Sequence, residues 1–452
     1  MAEWLYKMRK TGLKYGLLVS ALITTSSFLI ALSAFSCEQK AEGKKDAVSN
    51  EIGGRLIPMN QPQIPLGLAK RAEMSSQAFL KFFKTPTQQF IPLGFYAILH
   101  DIRDSEKLKT LGSRGIILFH RYHSEQSVDK ALKDLESARE AGVAVLQNLP
   151  RKYFTTRGRD FWQRHISALA GNEQILVWYL PEETKEKDLD QLKLISDIIR
   201  NTDTRKRPLI TYVVDWHADY LRRVNSMTDA VVFGAYPSYH GTQPRIEIKR
   251  RIDHAYKNGV LVVIAALEAL KGKYNWTRPK DVRFDAYLAF ISGAKGIMWY
   301  SYASAKQRPE LIEAVLNVAT ELNGPERLGE VILSDQKPRL LNCQAVKGPA
   351  YFHDDYKYET GVRTSLKLSS IQWTAREYEK YLYIFAVNTA QKLRAAEDGG
   401  EACRVTVKFG PINSKSSQVQ VISEDRTIDL SGGYFTDTFE PLGTHIYKVR
   451  ID

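Results

Sequence analysis

Cysteine is nearly missing from this sequence, with three residues among 452, at positions 37, 343 and 403. No CxxC and no HxxxH spacing occurs, so no zinc finger or zinc-peptidase helix is encoded. His120 and His123 stand close together, but no third ligand at a fixed spacing accompanies them, and no metal is expected. No glycine-rich phosphate loop follows the first strand-like run, which argues against a nucleotide fold and against a bound cofactor. Basic blocks are absent too. Lys and Arg number 64 against 51 Asp and Glu, but the two signs are mixed along the chain. No nucleic-acid partner is therefore expected. The net charge of +13 suits an anionic membrane surface or an acidic glycan at least as well.

Hydrophobic residues make up 44%, enough for a large core. At the N-terminus, a basic stretch "KMRKTGLKYG" precedes the apolar "LLVSALITTSSFLIALSAFS", and Cys37 follows at once. Residues 1–36 read as a secretory signal, with an uncleaved membrane-spanning helix as the alternative. "SAFSC" resembles the lipobox of bacterial lipoproteins, with Ala34 where Leu is common. The resemblance implies cleavage before Cys37 and a lipid on that residue. The folded part would then be anchored to a membrane of the cell envelope, facing the periplasm or the exterior. Outside the cytoplasm an even pair of cysteines can bridge. Cys343 and Cys403 are a disulfide candidate, with two buried free thiols as the alternative.

Residues 37–88 are polar, charged and proline-rich and read as a tether, with a short helix near "SSQAFLKFF". Over 89–328 the pattern alternates. Apolar runs such as "RGIILFHRYH", "QILVWYLPEE" and "VLVVIAALEAL" are each followed by a helical segment, and several of those segments close on glycine. Eight such units predict a (β/α)8 TIM barrel, the continuous apolar strands being those of a parallel sheet covered by helices. Residues 329–452 carry short β-branched or alternating runs between turn residues, predicting an antiparallel β-sandwich domain.

Chemistry in such barrels sits at the C-terminal ends of the strands. Those ends here carry His100, Asp101, His120, Arg121, His123 and Asn148 from the first three strands. Glu182, Glu183, Asp215, His217, Tyr236 and Tyr239 follow from the next three, and Glu268, Trp299, Tyr300 and Tyr302 from the last two. Carboxylates among aromatic platforms suit a sugar, whose faces stack on rings and whose hydroxyls need partners. Glycoside hydrolysis needs two carboxyl groups across one bond. "WYLPEE" resembles the "WYLxDEP" strand end of bacterial glycoside-hydrolase-like barrels, and "RFDAYLAFISGAKGIMWYSY" is similar to their last helix and strand. In the clan A superfamily of retaining glycoside hydrolases, the acid/base glutamate ends the fourth strand and the nucleophile ends the seventh. The resemblance implies Glu183 as acid/base and Glu268 as nucleophile. Glu182 stands where that superfamily carries Asn, a residue that binds the sugar.

Tyr236 is expected to bond the nucleophile, and Trp299 to floor the sugar site. Asn148, Arg121, His123, Asp215, His217, Tyr239 and Tyr302 are further candidate contacts. The reading is a membrane-tethered glycoside hydrolase of the retaining type, acting on an extracytoplasmic glycan. The alternative is a carbohydrate-binding lipoprotein that keeps the barrel without turnover. The direction of Glu268 separates the two.

Overall fold

The structure, a computed structural model, describes residues 66–122, 127–240, 243–272, 275–334, 341–357, 363–391 and 399–451. The signal segment, Cys37 and His123 lie outside them.

The eight strands form a closed parallel barrel. In chain order they are β1 (Leu93–Phe95), β2 (Leu118–His120), β3 (Val145–Asn148), β4 (Ile175–Tyr179), β5 (Leu209–Val213), β6 (Ala230–Ala235), β7 (Val263–Glu268) and β8 (Ile297–Tyr300). Closure comes from β8 pairing with β1 in the register Gly94 to Met298. Successive residues of each strand point to opposite faces, and both faces are apolar. One set, including Leu118, Leu146, Val177, Ile210, Val232, Ile264 and Met298, fills the barrel interior. The other, including Phe119, Val145, Trp178, Leu209, Val231, Val263 and Ile297, packs on the helices.

The helices start and stop where local chemistry dictates. The helix Val128–Ala141 begins on Ser127, whose hydroxyl accepts the Lys130 amide at 3.4 Å, and ends on Gly142 at φ 67°. The helix Pro279–Ile291 opens with proline, and the Asp281 carboxylate accepts the Arg278 amide at 3.1 Å. The stretch expected to be a tether is structured in its last part. A helix spans Leu66–Leu80, and Phe79, Leu80 and Phe83 join the apolar cluster of the barrel interior.

Beyond residue 341 the chain is antiparallel. Strands β9 (Asn342–Lys347), β14 (Val405–Gly410) and β17 (Phe435–Phe439) form one sheet in the order β17-β14-β9. Strands β12 (Ile371–Tyr378), β13 (Tyr381–Asn388), β15 (Gln418–Val421), β16 (Arg426–Asp429) and β18 (Thr444–Arg450) form a second, ordered β12-β13-β18-β15-β16. Strands β10 (Tyr351–Lys357) and β11 (Arg363–Ser369) pair with each other. Val405, Val407, Phe409, Ile384 and Tyr447 fill the core of this domain. The other face of β13 meets the barrel. Tyr383, Phe385 and Val387 join the barrel's helix-layer cluster, and Phe385 stacks on Tyr287 of the helix Pro279–Ile291 at 6.2 Å.

The disulfide is a correction: Cys343 and Cys403 are not bridged. Cys343 pairs across the ladder with Phe409, whereas Cys403 precedes β14 at that strand's other end. Six residues of near-extended chain place them roughly 15–20 Å apart, and a bridge needs Cα atoms within about 7 Å. Burial pushes the Cys343 thiol well above its ordinary pKa.

Candidate functional site

The two-residue period that fills the barrel interior continues to its mouth. Counting up from Leu118, Ile210, Val232 and Met298 reaches Tyr122, Tyr212, Tyr236 and Tyr300. These four, with Tyr96 and Tyr239, wall a cavity of about 170 Å³. Leu270, Glu182 and Glu183 complete the lining. Gly234 makes room for one wall, since a Cβ there would stand 2.1 Å from the Tyr212 hydroxyl oxygen. Tyr212 and Tyr236 are hydrogen-bonded to each other.

Glu182 is the deeper carboxylate, with a side chain 14% exposed. Its Oε2 accepts the Tyr179 hydroxyl at 3.0 Å, and the Tyr179 oxygen lies 3.0 Å from that of Tyr96. Burial raises its pKa and the neighbouring Glu183 adds to the rise; the Tyr179 and Tyr122 hydroxyls and the Arg151 charge oppose it. Glu183 is half-exposed and takes the left-handed conformation at φ 52°. Its amide donates to the Tyr212 carbonyl at 3.0 Å, which closes the loop onto β5. The loop is also pinned at Pro181, whose carbonyl accepts the hydroxyls of Thr184 at 2.8 Å and Thr211 at 3.1 Å. Arg151 faces both carboxylates, at 2.9 Å from Glu183 and 3.7 Å from Glu182. Beneath them His120 is buried with both ring nitrogens unpartnered, and burial lowers its pKa to about 3, so it is neutral.

Glu268 departs from expectation. It ends β7 with the parity of interior residues, yet its side chain is wholly buried and lines no part of the cavity. The Ser238 amide donates to both of its oxygens, at 2.9 and 2.8 Å, and the Tyr239 amide donates to Oε2 at 3.1 Å. Arg245 lies 3.5 Å away and also binds Asp281 at 2.8 Å, Asp285 at 2.5 Å and the Ser238 hydroxyl at 2.9 Å. Glu268 therefore anchors the short helix Pro237–His240, which carries Tyr239 into the cavity wall. Burial raises the Glu268 pKa, against the opposing Arg245 charge. Tyr236 bonds Tyr212 rather than Glu268.

Several other expected contacts fall outside the cavity lining. Trp299 has the opposite parity to Tyr300 and packs in the core beside Phe95, as does Tyr302. Arg121 is buried against Asp134 of the helix layer. His217 caps the helix Ala218–Met227, its Nδ1 accepting the Tyr220 amide at 3.3 Å. Asn148 is buried, Asp215 is half-buried, and neither borders the cavity. Tyr96, Tyr122, Tyr212 and Leu270 were missed, although interior parity alone reaches the first three. Among the described residues no group of three His, Cys, Asp or Glu side chains could hold a metal ion.

A closed eight-stranded parallel barrel wrapped in helices, with a pocket at the C-terminal ends of its strands, is the (β/α)8 architecture. Solved structures agree on the fold. A chain described as a glycoside hydrolase superposes with a TM-score of 0.50 at 11% identity, over 80% of this chain and 93% of that one. A family 5 glycoside hydrolase from Bacteroides vulgatus also gives 0.50 at 11% identity, over 80% and 90%. No protein-family description and no curated protein matches the sequence.

Proposed function

We propose that this protein is a glycoside-hydrolase-like barrel that binds one sugar unit of a glycan in its tyrosine-walled cavity, without the double displacement of a retaining enzyme. The observation that carries the reading is the position of the carboxylates. Glu182 and Glu183 face the cavity from one strand end, while Glu268 is held by two amides and an arginine. Retention needs two carboxyl groups about 5 to 5.5 Å apart across one glycosidic bond, one of them free to attack carbon. Glu268 is wholly buried beneath the two amides that it accepts and borders no part of the cavity, so it is not placed to attack a sugar held there. The tyrosines offer ring faces and hydroxyls, as sugar binding requires. The sequence around Cys37 supports a lipid anchor that would hold this pocket at a membrane surface outside the cytoplasm.

A second reading is hydrolysis with Glu182 as the acid. Burial raises its pKa, which is the direction a general acid needs. The test is a glycan and aryl-glycoside panel scored for both binding and bond cleavage. The proposal expects binding without turnover. Turnover lost in Glu182→Gln and retained in Glu268→Gln establishes the second reading. Turnover lost in Glu268→Gln with sugar binding intact overturns the assignment of Glu268 as an anchor.

A further inference from the structure

We propose that the cavity selects a sugar bearing a protonated amine over neutral, N-acylated and acidic sugars. This rests on the sugar-binding reading and adds the substrate class. Charge is the first ground. Two carboxylates face the cavity and the cation beside them is Arg151, at the rim and 45% exposed. Among the described residues this leaves one negative charge in excess. Arg151 spends its closest contact, 2.9 Å, on the outer carboxylate, and stands 3.7 Å from the inner one. The groups that bond Glu182 directly are tyrosine hydroxyls, which orient a carboxylate without cancelling its charge. Water and mobile ions reach it poorly, so the uncompensated charge acts through a low dielectric.

The second ground is the wall. Tyr300 lies at the centre of the aromatic set, with Tyr236 at 5.8 Å, Tyr122 at 6.0 Å and Tyr96 at 6.3 Å. Aromatic faces attract ammonium groups, and desolvated rings do so most strongly. Carboxylates and tyrosine rings together form a cation receptor, whereas an acidic sugar meets like charge. N-acylation removes the attraction and adds bulk to a cavity of about 170 Å³. The pocket also runs against the rest of the chain. A protein of net charge +13 repels cations at long range, so its acidic cavity is a local feature at the strand ends.

The experiment titrates the full chain in detergent, at pH 7, with oligosaccharides of glucosamine and of galactosamine. Their N-acetylated and hydroxyl counterparts are run beside them, and tetramethylammonium serves as a sugar-free cation. Amines are expected to bind at least tenfold more tightly than either counterpart. Glu182→Gln should erase that preference, and Arg151→Gln, which frees Glu183, should sharpen it severalfold. Circular dichroism checks that each variant is folded, and Glu183→Gln serves in place of a Glu182 variant that is not. Equal or tighter binding of the neutral sugars overturns the amine assignment and leaves sugar binding standing. Binding of tetramethylammonium without any sugar keeps the cation site and overturns the sugar reading. Binding of no probe overturns both.

Discussion

Replacing Glu268 tests the reassignment of that residue directly. Glu268→Gln keeps the shape and one carbonyl oxygen, which can still accept the Ser238 amide. The Tyr239 amide, at 3.1 Å from Oε2, then faces an NH2 group or a lost partner. A hydrogen bond to a charged group is worth about 1.5–3 kcal/mol. The loss is partly offset, because the buried Glu268 carboxylate carries a desolvation cost that a neutral amide does not. Removing the buried charge relieves that cost, so a net loss of about 1–2 kcal/mol is expected. Glu268→Ala strips both amides of their acceptor and should cost about 3–5 kcal/mol. Urea unfolding measures this as a lower midpoint at unchanged slope. Calorimetric titration should show sugar affinity falling about three- to tenfold in Glu268→Gln, since a loosened Tyr239 costs about 1 kcal/mol of binding. A Glu268→Gln protein as stable as the parent, with unchanged affinity but no turnover, would refute the anchor argument.

Further outcomes are expected. Burial with two carboxylates near it pushes the Asp285 carboxyl up to about 8. Between the unfolded value of about 4 and that point, the native state holds a proton that the unfolded state has lost. Stability should therefore fall as pH rises from about 4 to 8, and Asp285→Asn should flatten the slope of the unfolding midpoint against pH. Gly234→Ala pushes the Tyr212 ring from its place and should cost about 1–3 kcal/mol, read as a lower melting temperature together with weaker sugar binding. Alkylation of the unfolded, unreduced protein should label both Cys343 and Cys403 in peptide mass spectra; unlabelled peptides would point to a bridge. Cys37→Ala should leave an uncleaved precursor on immunoblots, and unchanged processing with unchanged detergent partitioning would exclude the lipid anchor.

The barrel was legible because its strands are short, apolar on both faces and separated by helices of regular length. Closure followed from the count of units. Glu182 and Glu183 were legible because a buried run that ends in two acids places them at the mouth. Glu268 misled for a physical reason. Strand parity gives the side of a Cα, and the direction of a long side chain above the last layer is set by partners far away in sequence. Arg245 comes from the turn before the helix Glu247–Lys257, Asp281 and Asp285 come from the helix Pro279–Ile291, and no spacing signals that they converge. Trp299 misled by one residue, since Trp and Tyr adjacent in "MWYSY" go to opposite faces. The tyrosine wall was legible and partly overlooked, because tyrosine in a β-strand is ordinarily read as sheet packing. The cysteine pair rested on parity of number alone, which holds no geometry.

The docking of the β-sandwich on the helix Pro279–Ile291 has a consequence for how this chain can be divided. That helix supplies Asp281 and Asp285 to the cluster that fixes the cavity wall, and from the same helix Tyr287 stacks on Phe385 and Arg283 bonds the Thr444 carbonyl at 2.7 Å. The Arg245 amide itself donates to the Gln391 side chain at 2.9 Å. A fragment ending at residue 334 would bare an apolar helix face and unseat Arg245 at once. The sandwich therefore works as a buttress that is not separable from the pocket, and barrel and sandwich should melt in a single cooperative transition.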